Sequence, residues 1–283
     1  MDAEISTMDT VDNIAMKIEK MNLKDEAKGP QGKEENKQQG EGGNDGAVKV
    51  GLVFGHSILN DATKRNLRDY IKAKELKICL ITNTWVQEGT TDTAFTYILP
   101  KDFLFCNQVR GQRGGGNAIA FNTTDLTEIP WTMGPPDPAP DFEYVAANLK
   151  HDTWDNPIVF INMFRTHSNE IEPFLEKLEN LLNKLFIENK AVIVTGNFNI
   201  PTSTPNVKEC KKFEEFLHRN NLKQCVKTAT HNKNILDMVI IKEDENNPVC
   251  ISDPIVDKDN HDKFNHIPVL FNIWRNLATQ EEK

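Results

Sequence analysis

The chain has 283 residues, enough for one large α/β domain with a substantial core plus an appendage; its 42 acidic and 33 basic residues give a formal charge of −9. That balance argues against a broad electrostatic footprint for nucleic acid. With 11 acidic and 6 basic residues in 1–46, and 31 and 27 in the remainder, the body is acidic as well.

Five widely spaced cysteines without a Cys-x-x-Cys pair predict reduced thiols. An N-terminus without basic and apolar leader regions, and no apolar run approaching eighteen residues, predict an intracellular protein with neither signal peptide nor membrane span.

In chain order, Val11, Ile14, Ile18 and Met21 are spaced for a short amphipathic helix or a partner contact. Residues 29–46 contain no apolar residue and read as a disordered linker. Residues 1–46 thus form an acidic N-terminal arm, 47–276 the domain and 277–283 a polar tail. Lys49–Phe54 reads as a strand, Asp61–Leu76 as a helix with Leu67, Tyr70 and Ile71 inward, and Lys77–Thr82 as a second strand, a β-α-β opening. Gly114, Gly115 and Gly116 turn the chain into a strand at Asn117–Phe121, and five prolines between Pro130 and Pro140 demand an extended surface loop. Strands follow at Phe142–Leu149 and Ile158–Phe164. The amphipathic helix Ile171–Phe186 then feeds a central strand, Val192–Val194. Helix Val207–Arg219 and strands Ile235–Ile241 and Val269–Ile273 complete the series, the last after a charged loop, Asp257–Lys263. Val192, Ile193, Val194, Leu236, Val239 and Leu270 are the expected core. Periodicity alone does not choose between two sheets and one sheet flanked by helices.

The stretch Ala191–Ile200 organises the rest, because a β-branched run ends abruptly in Gly196, Asn197, Phe198 and Asn199. Such a strand end delivers side chains to a site, with both asparagines leaving on one side. A simpler reading has Asn197 and Asn199 capping the adjoining loop through side-chain to backbone bonds. Arg113 with Gly114–Gly116 reads as a turn before it reads as a phosphate cradle. His56, His167, His231 and His266 have no zinc spacing, and the acidic run Asp253–Asp262 reads as a solvated loop.

Six segments in order resemble the endonuclease/exonuclease/phosphatase superfamily, in particular the apurinic-endonuclease-like endonuclease domain of LINE-type non-LTR retrotransposons. Gly196-Asn197-Phe198-Asn199 is similar to Gly-Asp-Phe-Asn, Thr82-Asn83-Thr84-Trp85 to Thr-Glu-Thr-Trp, and Arg113-Gly114-Gly115-Gly116-Asn117-Ala118-Ile119 to Arg-Gly-Gly-Gly-Val-Ala-Ile. Phe164-Arg165-Thr166-His167 stands where those enzymes have Tyr-Arg-Pro-Pro. Thr230-His231 with Leu236-Asp237-Met238-Val239-Ile240 resembles Thr-His followed by Leu-Asp-Leu-Val-Ile, and Asn265-His266-Ile267-Pro268-Val269 resembles Asp-His-Phe-Pro-Val. The resemblance spans 48–274 and implies a four-layer α/β sandwich of the DNase-like type. It further implies hydrolysis of phosphate esters by a carboxylate-held divalent metal, with a His and an Asp partner handling the proton of the attacking water.

The departures are concentrated where that chemistry sits. Phe54 stands near the first-strand asparagine, Asn83 replaces a glutamate, Asn197 and Asn265 replace aspartates, and Phe164 lacks a tyrosine hydroxyl. Two unit charges 4 Å apart at an effective dielectric of 20 interact by roughly 4 kcal/mol, so each carboxylate lost beside a divalent ion removes about 8 kcal/mol of gross attraction. The expectation is a vestigial site (Asn83, Phe164, Asn197, Asn199, Asp237, Asn265 and His266) with no magnesium and no other cofactor, in which His266 has lost its orienting acid. The expected function is a catalytically inactive, retrotransposon-endonuclease-derived protein acting by binding or as a structural or surface protein. Two rivals stay open: a residual Mg-dependent endonuclease or phosphoesterase working through Asp237 and His266, and a coat or scaffolding protein whose arm recruits a protein partner. Nucleic acid is at most a weak partner.

Overall fold

The computed structural model describes residues 47–89, 91–110, 114–130, 142–166, 170–188, 191–202, 207–244 and 249–275, all within the unit Asn44–Lys283. The expectations for the arm 1–46, Arg113, residues 131–140, His167 and the tail 277–283 fall outside them.

The opening β-α-β unit is β1 (Val48–Phe54), α1 (Asp61–Ala73) and β2 (Ile78–Thr82). Helix α1 starts where Asn60 Oδ1 accepts from the amides of Ala62 and Thr63, at 2.8 and 3.4 Å, satisfying two of the orphan donors of a helix start. It ends three residues short of the expected Leu76, because Glu75 takes a left-handed φ of 53°. Then come α2 (Thr91–Ile98), β3 (Phe103–Gln108), β4 (Asn117–Asn122), β5 (Leu126–Glu128), β6 (Glu143–His151) and β7 (Ile158–Phe164). The second half holds α3 (Ile171–Glu188), β8 (Val192–Asn197), α4 (Lys208–Arg219), β9 (Leu222–Gln224), β10 (Asp237–Lys242), β11 (Val249–Ile251), β12 (Ile255–Val256) and β13 (Val269–Arg275).

The strands form two sheets. One has the order β11-β13-β1-β2-β4-β3, with β12 also on β13; the other has the order β5-β6-β7-β8-β10-β9. Each contains one parallel pair, β1 with β2 and β7 with β8, and each of those is spanned by a helical crossover. The period-2 alternation of strands decides the layers. Val50, Leu52, Ile78, Leu80, Ile119 and Phe121 of the first sheet meet Ala147, Leu149, Ile158, Phe160, Ile193 and Val239 of the second in the central core. The opposite face of the first sheet packs Val53, Cys79, Ile81, Ala118 and Ala120 against Leu67, Ile71, Phe95 and Ile98 of α1 and α2. That of the second packs Val159, Ile161, Val192 and Val194 against Phe174, Leu178, Leu182, Phe213 and Phe216 of α3 and α4. The layers therefore run helix, sheet, sheet, helix, the four-layer sandwich expected. Of the anticipated core, Leu270 is only half-buried, packed beside the α1 layer.

Candidate functional site

The inward faces of the strands end in two rows. Register aligns Phe54 with Thr82 and Thr82 with Asn117 across the first sheet, and Phe164 with Asn197 and Asn197 with Asp237 across the second. Gly196 makes the second row. Its φ is 132°, and a Cβ there would lie 2.0 Å from the Met163 carbonyl oxygen, so only glycine lets β8 lie this close to β7 at the strand end.

Asp237 is 3 % exposed and the hub of the hydrogen bonding. Its Oδ2 accepts from His266 Nδ1 at 2.7 Å and from the Thr230 hydroxyl at 2.6 Å, and its Oδ1 accepts from Asn197 Nδ2 at 2.9 Å. Thr230 Oγ1 in turn accepts from the amides of Leu236 and Asp237, both at 3.1 Å. Burial by itself would raise the Asp237 carboxyl; the charge and hydrogen bond of His266, with the bonds from Thr230 and Asn197, outweigh it and hold the group below the usual carboxylate range. A carboxylate receiving the Nδ1 proton fixes the imidazole tautomer and leaves Nε2 as the nitrogen able to meet a ligand.

The imidazole of His266 lies between two rings, Phe54 at 4.0 Å and 10° and His231 at 4.3 Å and 29°. The stack continues outward from Phe54 to His56 (6.1 Å), while Trp85 tilts against His56 at 5.4 Å and Phe164 against Phe54 at 6.4 Å. His231 is tied from both ring nitrogens, Nδ1 to the Asn265 carbonyl at 3.1 Å and Nε2 to Asn232 Nδ2 at 3.0 Å.

The asparagines serve this packing. Asn83 Oδ1 accepts from Trp85 Nε1 at 2.8 Å and from the Gly115 amide at 2.9 Å. Asn199, at φ 51°, donates to the Arg165 carbonyl at 2.6 Å, and its own carbonyl accepts from Arg165 Nη1 at 3.4 Å. Asn265 is exposed, with Nδ2 3.5 Å from His56 Nδ1. The glycine run is a turn with φ of 88°, 70° and 82°; its Gly116 amide donates to the Glu143 carboxylate, which also pairs with Arg110 at 3.1 Å. The Gly115 and Gly116 amides are thus spent on the protein's own side chains. Six of the eight described non-glycine residues at positive φ (His56, Ser57, Asn83, Trp85, Asn199 and Asn232) lie in these strand-end loops, a concentration of backbone strain typical of functional sites.

Residues 158–263 match the family model described as an endonuclease-reverse transcriptase. Among solved structures, the chain is similar to the endonuclease domain of TRAS1, a telomere-specific non-LTR retrotransposon, with a TM-score of 0.62 and 16% identity over 81% of this chain and 98% of that one. The AP endonuclease LMAP from Leishmania major gives 0.62 and 13%, over 81% of this chain and 88% of that one. The human Nocturnin catalytic domain gives 0.55 and 13%, over 81% and 94%. The fold is that of the endonuclease/exonuclease/phosphatase superfamily. No curated protein matches the chain by sequence.

Within the superfamily fold, the second sheet's row brings Phe164, Asn197 and Asp237 together, and His266 joins them through Asp237. Asn83 and Asn265 stand at the mouth beside Trp85 and His56, and Asn199 is directed to the Arg165 loop rather than to Asp237. Three expectations are corrected. His266 has not lost its orienting acid: Asp237, 29 residues earlier, supplies it. Asp237 in turn accepts from three donors on its two oxygens. The reading of Asn197 as a loop cap also fails, since its amide engages Asp237; for Asn199 a side-chain to backbone bond is what the structure has. In the acidic run, Asp257 departs from a solvated loop: it is 6 % exposed and bonded by Lys74, Tyr70 and Asn260. The sequence reading missed Thr230 as a member of the site, although its Thr-His motif was visible, and missed Glu143, which no motif marks.

Proposed function

We propose that the domain is a catalytically inactive derivative of a retrotransposon endonuclease that acts by binding through, or by the stability of, a sandwich whose old pocket has been filled. The observation carrying this reading is the ring of Phe54, which stands near the expected first-strand asparagine and stacks 4.0 Å from the imidazole of His266. The residues present do not fit a magnesium ion. Asn83 Oδ1 is bonded twice within the protein and Asp237 three times, and an amide offers only a neutral oxygen to a hard divalent cation. Among the described residues no three of His, Cys, Asp and Glu are grouped to hold a metal. Binding by the acidic N-terminal arm to a protein partner is part of the same proposal, carried by its apolar stripe.

One observation favours a second reading, residual phosphoesterase activity. The Asp237–His266 pair is intact, with the tautomer that a general base requires. The two are separated by titrating purified protein with Mg²⁺ and Mn²⁺ in a calorimeter beside a nicking assay on plasmid and abasic DNA. No metal heat and no cleavage above background are expected. The Asn83→Glu, Asn197→Asp, Asn265→Asp triple variant should recover metal binding before it recovers cleavage, because Phe54 still stacks on His266. Nicking by the wild type that disappears in His266→Ala would replace the first reading by the second.

A further inference from the structure

The two rows at the floor of the site face one another, and their polar members do not satisfy each other. Thr82, Asn117 and Asn197 are each 0 % exposed. Thr82 Oγ1, both ends of the Asn117 amide and Asn197 Oδ1 have no hydrogen-bond partner in the protein. Four such atoms at one end of one inter-sheet space are unusual, because buried polar groups are nearly always bonded. Asn162 shows that the sheets are held close here: its Nδ2 reaches across from β7 to the carbonyls of Ile81 and Ala118, at 2.9 and 3.0 Å, the residues adjoining Thr82 and Asn117. Thr195, on the same inward face of β8 two residues before Asn197, completes the boundary by bonding the Ile161 carbonyl at 2.9 Å.

We infer that Thr82, Asn117 and Asn197 enclose a niche for ordered water between the two sheets at the floor of the candidate site. The donor and acceptor inventory chooses the guest. Asn197 Nδ2 donates to Asp237 and lies 3.2 Å from His266 Nδ1, so the unpartnered atom of Asn197 is its acceptor oxygen; Asn117 presents two donors and an acceptor, and Thr82 a hydroxyl that does either. Water donates to the two amide oxygens and accepts from Asn117 Nδ2 and the Thr82 hydroxyl, meeting the two to four polar partners that a buried water needs. An anion is disfavoured by the Asn197 oxygen and the neighbouring Asp237 carboxylate. In the segment that resembles Arg-Gly-Gly-Gly-Val-Ala-Ile, Asn117 stands in place of the valine, so the niche belongs to this chain's own residues.

The test is a crystal structure of the full chain at a resolution that places waters, beside thermal melts of Asn117→Val, Thr82→Val and the double variant. Waters bridging Thr82, Asn117 and Asn197, with each single variant melting several degrees lower and the double variant losing less than the sum, support the inference. Direct bonding of Thr82 to Asn117 without intervening density overturns it. So does a bound ion in that position, or a higher melting temperature for Asn117→Val, the result expected when an unsatisfied amide is removed from a dry core. Should a variant fail to fold, the wild-type density decides.

Discussion

His266 illustrates how far a single residue can be read from its neighbours in sequence. The asparagine before it suggested an imidazole without support, yet its carboxylate arrives from Asp237, on a different strand and 29 residues away. Motif spacing reports local chemistry, and a partner brought by sheet register is invisible to it. For the same reason Asn83, Asn197 and Asn265 were legible as changed residues, while their bonds to Trp85, Asp237 and His56 were not. The Asp237 carboxyl gives a prediction at this scale. Its pKa is depressed in the folded state, so its contribution is complete above the unfolded carboxyl value of about 3.9 and is lost as pH falls through the lower folded value. Asp237→Asn should cost about 1–3 kcal/mol at pH 7, the range for disrupting a buried hydrogen-bonded group. In urea denaturation the gap from wild type should hold from pH 7 to about pH 4 and close below it. A gap that persists unchanged to the acid limit would show that the carboxyl is not held low.

Among the elements, those with a clean apolar period were legible; the shortest ones, and the six-residue strand β3, none of whose residues is fully buried, were not. Strand β7 falls on the expected residues, and β1, β2, β4, α3 and α4 within a residue or two, because their side chains alternate cleanly between core and covering layer; β8 starts as expected and runs three residues further, to Asn197. The three-residue strands β5, β9 and β11 cannot express a two-residue period over a useful window, and the two turns of α2 carry three threonines that weaken a helical pattern. Strand β10 begins at Asp237 and not at Ile235, because the chain enters it from the Thr230 turn that bonds the amides of Leu236 and Asp237. Gly196 supplies the prediction for this scale. Gly196→Ala places a Cβ against the backbone of Met163 at 2.0 to 2.8 Å, where no side chain can yield, and should part β8 from β7. A loss of more than about 4 kcal/mol, or failure to fold, is expected; a stable variant with unaltered circular dichroism would show that the two strands can separate at no such cost.

For the molecule as a whole, the layered architecture was legible only through the resemblance, since amphipathic periods say which face is buried and not what covers it. No helix of the described residues is long and apolar enough to cross a membrane. Residues 1–46 have one short apolar stripe and then none, so their removal should shift the melting temperature by less than about 4 °C, roughly 1–2 kcal/mol in a domain of this size; a larger fall in differential scanning calorimetry would show that the arm is part of the core. Pairing of the first and last strands carries a separate consequence. Strand β13 lies against β1 near the middle of its sheet, with Val48 opposite Ile273 and Leu52 opposite Val269. During synthesis the ribosome therefore releases β1 more than two hundred residues before its neighbour. Until Val269–Arg275 clears the exit tunnel, one side of β1 keeps its backbone groups open beside apolar side chains. A nascent chain of this kind needs shielding until β13 is made, and a truncation that removes Val269–Arg275 would leave that side of β1 open and the product prone to aggregate.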